Sequence, residues 1–182
     1  CADSFTAGST GDWLVEGDEL WQTAVINDQM RIAVNAPNTI QFTTLMDPIF
    51  TDFVAQIDAA VLAGGLDSSY GILFRMQNES QFYRFAVMGT GKYILERRDA
   101  NGSWARLVDG WQDTAVVQTG MNVSNRLRVE AVGPNIAIFA NDELLARVVD
   151  TTYTAGTLGL EAGTFGQPGL EVIFDNLIVT EP

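Results

Sequence analysis

Short apolar runs that alternate with glycine, asparagine and aspartate clusters are the feature of this chain that most restricts its fold. The runs are rich in Val, Ile, Phe and Thr, and no segment keeps a helical period for more than about two turns. The turn residues tolerate left-handed backbone angles, which suits hairpin loops. The pattern predicts thirteen strands, at 19–26, 29–35, 39–45, 50–62, 70–77, 82–88, 92–98, 104–108, 126–132, 135–140, 143–149, 156–162 and 171–180.

The number of strands and the absence of internal divisions indicate the architecture. Thirteen strands in 182 residues exceed a simple immunoglobulin sandwich, and a jelly roll of two sheets accommodates them better. The five prolines lie outside strand interiors, as a sheet requires. The sequence carries no internal repeat, linker or low-complexity tract. We therefore predict an all-β, two-sheet antiparallel jelly-roll sandwich that forms a single domain over 1–182.

Composition excludes several classes of function. The net charge of −13 would repel nucleic acids and anionic membrane surfaces, so neither is a predicted partner. The chain contains no histidine, which excludes histidine general bases, triads that use histidine and ordinary zinc sites. No apolar run approaches the length of a membrane span, and 47% hydrophobic residues are enough to build a sizeable core.

Cys1 is the only cysteine, so an intramolecular disulfide is excluded. Two interpretations of Cys1 stay open. It is the lipid-bearing first residue of a mature bacterial lipoprotein, or it marks the point where a longer chain was cut. The first interpretation predicts a lipid anchor.

Basic residues concentrate in three neighbouring predicted strands. Residues 75–106 hold six basic and three acidic side chains, whereas the rest of the chain holds four basic and twenty acidic ones. Alternation places Arg75, Arg84 and Glu96 on one face, opposite an apolar face. Opposite charges on paired strands contribute roughly 0.2–1 kcal/mol per pair. This face is either a sheet surface protected by charge or a groove for a hydroxyl-rich or anionic ligand.

The order of several segments resembles a known superfamily. The segments are "DSF", "DFVAQID", "YGILFRM", "QFYRFAV", "GKYILERR", "GSWARL", "GTLGLEAG" and "VIFDNLIV". Their succession is similar to the concanavalin A-like lectin/glucanase superfamily, specifically bacterial extracytoplasmic domains related to the keto-disaccharide hydrolase and laminin G-like modules. The resemblance implies two stacked sheets, one of them concave, and ligands that lie across the concave face. It also implies an extracytoplasmic location, secreted or on the cell surface.

The predicted ligand-binding residues are Arg75, Arg84, Glu96, Arg98 and Trp104. Exposed aromatic rings stack on sugar faces in such grooves. Trp104 follows a turn, and Trp111 lies in a loop, so both suit the rim of a groove, although each also suits packing.

Two aspartates form a candidate metal site. Asp3 lies near the start of the chain and Asp175 lies in the last predicted strand. The resemblance implies that the terminal strands are neighbours and that a late aspartate helps to hold a structural calcium. Calcium requires six to eight oxygen ligands, which carbonyls and water would complete. The alternative is that Asp175 accepts hydrogen bonds from backbone amides. No other cofactor is predicted.

Hydrolysis is disfavoured, and no catalytic residue is predicted. Retaining glucanases of this fold carry two carboxylates about 5 Å apart, alternating on one strand. The nearest approach is Glu16-Gly17-Asp18-Glu19, which reads as a turn.

We therefore predict a non-catalytic extracytoplasmic module that binds a carbohydrate on the concave face. One alternative is a structural, adhesive or filament-forming surface protein, in which self-assembly uses the sheet edges or Cys1. The other is a glycoside-cleaving enzyme of the keto-disaccharide hydrolase type.

Overall fold

The computed structural model describes residues 2, 3, 5 and 13–182, and the side chains of all but the first two of these. This part of the chain contains fifteen strands and no helix. The strands are β1 (Ala2–Asp3), β2 (Trp21–Ile26), β3 (Gln29–Val34), β4 (Ile40–Thr44), β5 (Phe53–Ala63), β6 (Ser69–Asn78), β7 (Gln81–Met88), β8 (Lys92–Arg98), β9 (Trp104–Arg106), β10 (Gln112–Asp113), β11 (Asn125–Val132), β12 (Asn135–Ala140), β13 (Glu143–Val149), β14 (Thr157–Gly163) and β15 (Leu170–Thr180).

The strands form two antiparallel sheets, which confirms the predicted jelly-roll sandwich. The back sheet has the order β13-β12-β11-β5-β15-β3-β2, and β1 also pairs with β15. The front sheet has the order β10-β8-β7-β6-β14-β4, and β9 also pairs with β8. Each of the thirteen predicted segments overlaps a strand, and the two-residue strands β1 and β10 are additional. Among the described residues, no helix is long and apolar enough to cross a membrane.

A single hydrophobic cluster fills the space between the sheets. Alternate residues of β5 are buried, which is the period expected of a strand with one face on a core. Phe53 of the back sheet meets Phe74 of the front sheet, with ring centroids 6.2 Å apart. Phe74 in turn stacks on Tyr83 at 5.3 Å. Burial of each large apolar side chain contributes about 1.5–3 kcal/mol, so this cluster is the main source of stability.

The front sheet also has an outer face, which we define as the side turned away from this core. Tyr83 and Phe85 of β7 pack in the core, so the alternating residues Phe82 and Arg84 point to the outer face. A second, smaller hydrophobic cluster covers part of the outer face. It consists of Leu73, Met76 and Phe82, with Phe42 packed against them.

A bulge in β6 overturns one prediction from alternation. The register of β6 against β7 shifts after Phe74, and Arg75 has a positive φ of 47°. Such a bulge inserts an extra residue and changes the face of the side chains that follow it. Leu73 before the bulge and Met76 after it both lie in the outer hydrophobic cluster. Arg84 lies opposite Leu73, whereas Arg75 bonds to residues that adjoin the back sheet. The prediction that Arg75 and Arg84 share a face is wrong, because the alternation is broken between them.

Candidate functional site

Arg84 lies at the centre of a polar cluster on the outer face, which we call the Arg84 cluster. Its Nη1 donates a hydrogen bond to Oε1 of Glu96 at 2.8 Å, and its Nε donates to Oε1 of Glu161 at 2.9 Å. Its Nη2 donates to Oγ of Ser69 at 2.9 Å. The four residues of the cluster are all buried. Charge-assisted bonds of this length are strong, so the guanidinium is held in one orientation.

Four neighbouring strands, β8, β7, β6 and β14, bring these side chains together. Glu96 on β8 lies directly opposite Arg84 on β7. Glu161 is on β14, and β6 lies between β7 and β14, so the arginine side chain crosses β6. The residue of β6 opposite Glu161 is Gly71, which has no side chain to obstruct this path. A Cβ added to Gly71 would collide with the backbone of Phe85, so glycine is required there.

The electrostatics of the cluster are unbalanced, because two carboxylates share one guanidinium. Burial opposes the charge of Arg84, but attraction from Glu161 and Glu96 outweighs it and raises the pKa of the guanidinium. Burial raises the pKa of Glu161, and repulsion from Glu96 adds to this, while Arg84 opposes it. Oε2 of Glu161 is buried and has no hydrogen-bond partner among the described residues. The cluster therefore keeps an unused acceptor beside a fixed cation.

Aromatic rings surround the cluster. The Arg84 Cζ atom is 5.8 Å from the ring centroid of Trp104 and 5.7 Å from that of Trp111. Arg98 lies over Trp104 at 4.9 Å, and Trp104 remains 36% exposed. Trp111 makes an edge contact with Phe165, with ring centroids 6.4 Å apart. A polar floor bounded by indole rings can donate and accept hydrogen bonds while a ligand packs on the aromatic surface.

Four of the five predicted ligand-binding residues come together here. Arg84 and Glu96 form the ion pair, and Arg98 and Trp104 lie beside it. Glu161, the glutamate of "GTLGLEAG", is not among the residues predicted from the sequence. Trp111, for which the sequence allows either a groove rim or a packing role, lies beside Arg84.

Arg75 lies elsewhere, in contact with backbone carbonyls. Its Nη1 donates to the oxygens of Gly133 and Tyr153 at 2.8 and 3.2 Å. Its Nη2 and Nε donate to the oxygen of Thr51 at 2.8 and 3.3 Å. Asp52 is 3.6 Å from the guanidinium. As Gly133 and Thr51 adjoin strands of the back sheet, Arg75 connects the two sheets and is not part of the candidate site.

The predicted metal ligands are placed only in part. β1 pairs with β15, with Asp3 opposite Leu177, so the terminal strands are neighbours; the side chain of Asp3 lies outside the described residues, as does Cys1. Asp175 accepts hydrogen bonds from the backbone amide of Asn176 at 2.8 Å and from Nε2 of Gln29 at 3.5 Å. No group of three His, Cys, Asp or Glu side chains converges on a metal position within the described part of the chain. Structural calcium therefore stays a prediction.

Fold and site together define a concanavalin A-like β-sandwich with a polar and aromatic cluster on one sheet face. The family model of the 3-keto-alpha-glucoside-1,2-lyase-like domain matches residues 5–180, and the chain belongs to that family. No curated protein matches the chain.

Solved structures of the same fold are similar to this protein at low sequence identity. The carbohydrate-binding module CBM66 from Bacillus subtilis has a TM-score of 0.74 and 17% identity, covering 93% of this chain and 96% of that one. The beta-glucanase of Bacillus licheniformis has a TM-score of 0.72 and 9% identity, covering 100% and 98%. Sheep galectin-11 has a TM-score of 0.53 and 11% identity, covering 80% and 98%. At these identities the likeness establishes the fold alone.

Proposed function

We propose that this protein is a non-catalytic, extracytoplasmic module that binds a neutral carbohydrate on the outer face of the front sheet. The observation that carries the proposal is the Arg84 guanidinium, fixed by two carboxylates and lying within 5.8 Å of two indole rings. Solvent reaches the cluster, because the side chains of Arg84 and Glu96 are 6% and 10% exposed.

The hydrogen-bonding capacity of the cluster matches sugar hydroxyls. A guanidinium has five N–H donors, and those of Arg84 make three hydrogen bonds to side chains. The two remaining N–H groups can donate hydrogen bonds to hydroxyl groups, and the carboxylate of Glu96, whose side chain is 10% exposed, can accept them, whereas Oε2 of Glu161 is fully buried. Two carboxylates beside one guanidinium also favour a neutral ligand over an anionic one.

The comparisons support the same class of ligand. One structural neighbour is described as a carbohydrate-binding module, and the family is described by its likeness to an enzyme of keto-glucosides. Both descriptions concern sugars, and the outer face is where this chain has a polar and aromatic surface.

A glycan array followed by isothermal titration calorimetry tests the proposal. We expect binding to one class of neutral sugar, and we expect Trp104→Ala to weaken it by about tenfold or more. Arg126→Ala is the matched control, because Arg126 pairs with Asp58 on the back sheet. An array without any neutral sugar bound, or equal affinities for Trp104→Ala and the unchanged protein, would contradict the proposal.

Glycoside cleavage is the second candidate function, and one observation favours it. Glu161 is a buried acid with a raised pKa, and it shares Arg84 with a second carboxylate, Glu96. Pairs of carboxyl groups in different environments act as acid and base in sugar chemistry. We expect a cleaving enzyme to release product from 3-keto-glucosides or ordinary disaccharides and to lose this activity in Glu161→Gln. The absence of product from both substrate classes would exclude it.

The proposal also includes a structural calcium ion and an extracytoplasmic location, and each has its own test. If Asp3 and Asp175 hold calcium, the ion raises the melting temperature and a chelator lowers it, since binding to the folded state alone is stabilising. An unchanged melting temperature in both experiments would reject the site. Recovery of the protein in the cytoplasmic fraction of cells would reject the extracytoplasmic location.

A further inference from the structure

A second cleft, of about 360 Å³, lies along β4 at the edge of the front sheet, and Phe42 in its lining is the β4 residue paired with Glu161 of the Arg84 cluster. Leu45 packs in the core, so Phe42 and Thr44 of β4 point to the outer face, and both line the cleft. We call this feature the Trp21 cleft, because Trp21 of β2 forms one of its walls. Its volume lies within the range of about 300–1,000 Å³ that is usual for small-molecule sites.

A row of aromatic rings connects the Trp21 cleft with the Arg84 cluster. Phe42, in the cleft, lies 6.1 Å from Phe82 between ring centroids. Phe82 lies 5.8 Å from Trp104, and Trp104 lies 5.8 Å from the Arg84 Cζ atom. A neighbouring cleft of about 250 Å³ shares Thr44 with the Trp21 cleft and extends to Met76 of the outer hydrophobic cluster. The two polar ends of the outer face are therefore joined by a continuous apolar floor.

The polar groups of the Trp21 cleft are acceptors and neutral groups. Its described lining includes the carboxylates of Glu16 and Glu79, the amide of Gln41 and the hydroxyls of Thr44 and Ser80, and it includes no lysine or arginine. Carboxylates accept hydrogen bonds from hydroxyl groups and repel a ligand that carries carboxylates of its own. An aromatic wall beside such groups suits a sugar ring, because the aromatic ring packs on the apolar face of the sugar and the polar groups bind its hydroxyls.

We propose that the Trp21 cleft is a second sugar-binding subsite, and that the ligand is a neutral oligosaccharide extending across the strands from Arg84 to Trp21. The inference rests on the proposed function, because it assigns the Arg84 cluster to one end of the same ligand. Ring contacts along Phe42, Phe82 and Trp104 support the middle of the ligand.

Calorimetric titration with sugars of increasing length tests the inference. The probes are β-linked glucose oligomers of one to six units, the same lengths of whichever neutral sugar the glycan array identifies, and galacturonic acid oligomers. We expect affinity for the neutral series to rise by about tenfold or more from the shortest to the longest bound member. Glu79→Gln and Trp21→Ala remove this gain but leave binding of the shortest bound member unchanged.

Two controls keep folding separate from binding. Glu79 lies exposed in the turn between β6 and β7, so Glu79→Gln does not disturb packing. Trp21 is partly buried, and its variant is interpreted only if its melting temperature is unchanged. Glu143→Gln, an exposed change on β13 of the back sheet, leaves the affinity for every length unchanged.

The outcomes distinguish this inference from the proposed function. Affinity that is equal for short and long neutral sugars overturns the second subsite and leaves the Arg84 cluster as the binding site. Tighter binding of galacturonic acid oligomers than of neutral ones overturns the argument from charge. Absence of binding to every neutral series overturns the proposed function together with the inference.

Discussion

Arg75 and Arg84 lie on adjacent strands and are both buried, but they have different partners. Arg75 is 1% exposed and donates to the backbone carbonyls of three residues. Arg84 is 5% exposed and donates to two carboxylates and a hydroxyl, all of them side chains. The difference shows that burial alone does not define the role of an arginine. A guanidinium that binds backbone carbonyls connects structural elements. One that binds side chains can be replaced by mutation together with those side chains.

The hydrogen-bond partners of the two arginines also lie in different parts of the fold. Thr51 and Gly133 adjoin strands of the back sheet, so Arg75 fixes one sheet against the other. All the partners of Arg84 lie on strands of the front sheet, and they meet on its outer face. Loss of Arg75 is therefore expected to affect the whole fold, and loss of Arg84 to affect a surface.

Arg75→Met gives the largest expected effect, a decrease of about 3–5 kcal/mol in the free energy of unfolding. The carbonyls that accept its hydrogen bonds lose their donors, and each buried group left unsatisfied costs about 1–3 kcal/mol. Urea denaturation measures the decrease. Arg75→Lys should recover only part of it, because one ammonium lacks the planar fork that reaches several carbonyls. A decrease below about 1 kcal/mol would show that water replaces the guanidinium and that the contrast with Arg84 is false.

Replacement of the three charged residues of the Arg84 cluster by apolar residues tests the opposite arrangement. The triple variant Arg84→Met, Glu96→Leu and Glu161→Leu removes both partners of each ion pair, so it leaves no buried charge unpaired. Such exchanges are often neutral or stabilising, and we expect stability within about 1 kcal/mol of the unchanged protein. Sugar affinity should fall by about a hundredfold or more, because every charged group of the floor is lost.

The single variant Arg84→Met is the matched comparison for the triple variant. It leaves Glu161 buried without its cation, so it should be less stable than the triple variant. Equal stability of the two variants, or retained sugar binding in the triple variant, would contradict the role given to this cluster.

The sequence predicted the Arg84–Glu96 pair because β7 and β8 keep an uninterrupted register. In such strands the side-chain period of two assigns every residue to a face. The same rule failed at Arg75, because the bulge after Phe74 adds a residue and reverses the faces beyond it. Strict alternation of side chains cannot predict a bulge. The segment "MQNES" that follows is also typical of an ordinary turn, so it gives no signal of one.

Glu161 could not be assigned to the site from the sequence for a different reason. It lies 77 residues from Arg84 along the chain, and it reaches the cluster because β14 pairs with β6 and not with its neighbours in sequence. The position of Trp111 depends on a loop, where strand periodicity carries no information. The sequence thus predicted the strands and one local ion pair, but not the contacts made by distant strand pairing.

The pH dependence of stability should separate the two arginines, because the hydrogen-bond acceptors of Arg84 include two carboxylates, whereas those of Arg75 are backbone carbonyls. Burial raises the folded-state pKa of Glu161 above its ordinary value of 4.5. The folded protein therefore binds the proton of Glu161 more tightly than the unfolded chain does. The stability that this protonated carboxyl contributes is fully present below pH 4.5 and is lost as pH rises through the folded-state pKa. In Arg84→Met the missing cation raises this pKa further, so the deficit relative to the unchanged protein should grow as pH rises.

Urea denaturation across pH 3–8 measures this deficit for both arginines. The deficit of Arg75→Met should change less with pH, because its hydrogen-bond acceptors are backbone carbonyls and the Asp52 carboxylate, 3.6 Å from the guanidinium, is 45% exposed. Adding Glu161→Gln to Arg84→Met should flatten the profile of that variant. A flat deficit for Arg84→Met alone would show that Glu161 is not the group responsible.

Arg98→Ala gives the smallest expected effect, a loss of about 0.5–1 kcal/mol in stability and a few-fold loss in sugar affinity. Arg98 lies 4.9 Å over the ring of Trp104, at the rim of the Arg84 cluster, and holds that ring by a cation–π contact of modest strength. Arg128→Ala is the matched control, because Arg128 makes the same kind of contact with Phe139 at 4.0 Å on the back sheet. Arg128 also pairs with Glu130 and Asp142, so denaturation should show at least as large a loss of stability for Arg128→Ala, whereas calorimetry should show weaker sugar binding only for Arg98→Ala. If Arg128→Ala weakens binding as much, the effect is one of general stability and Trp104 has no special place at the site.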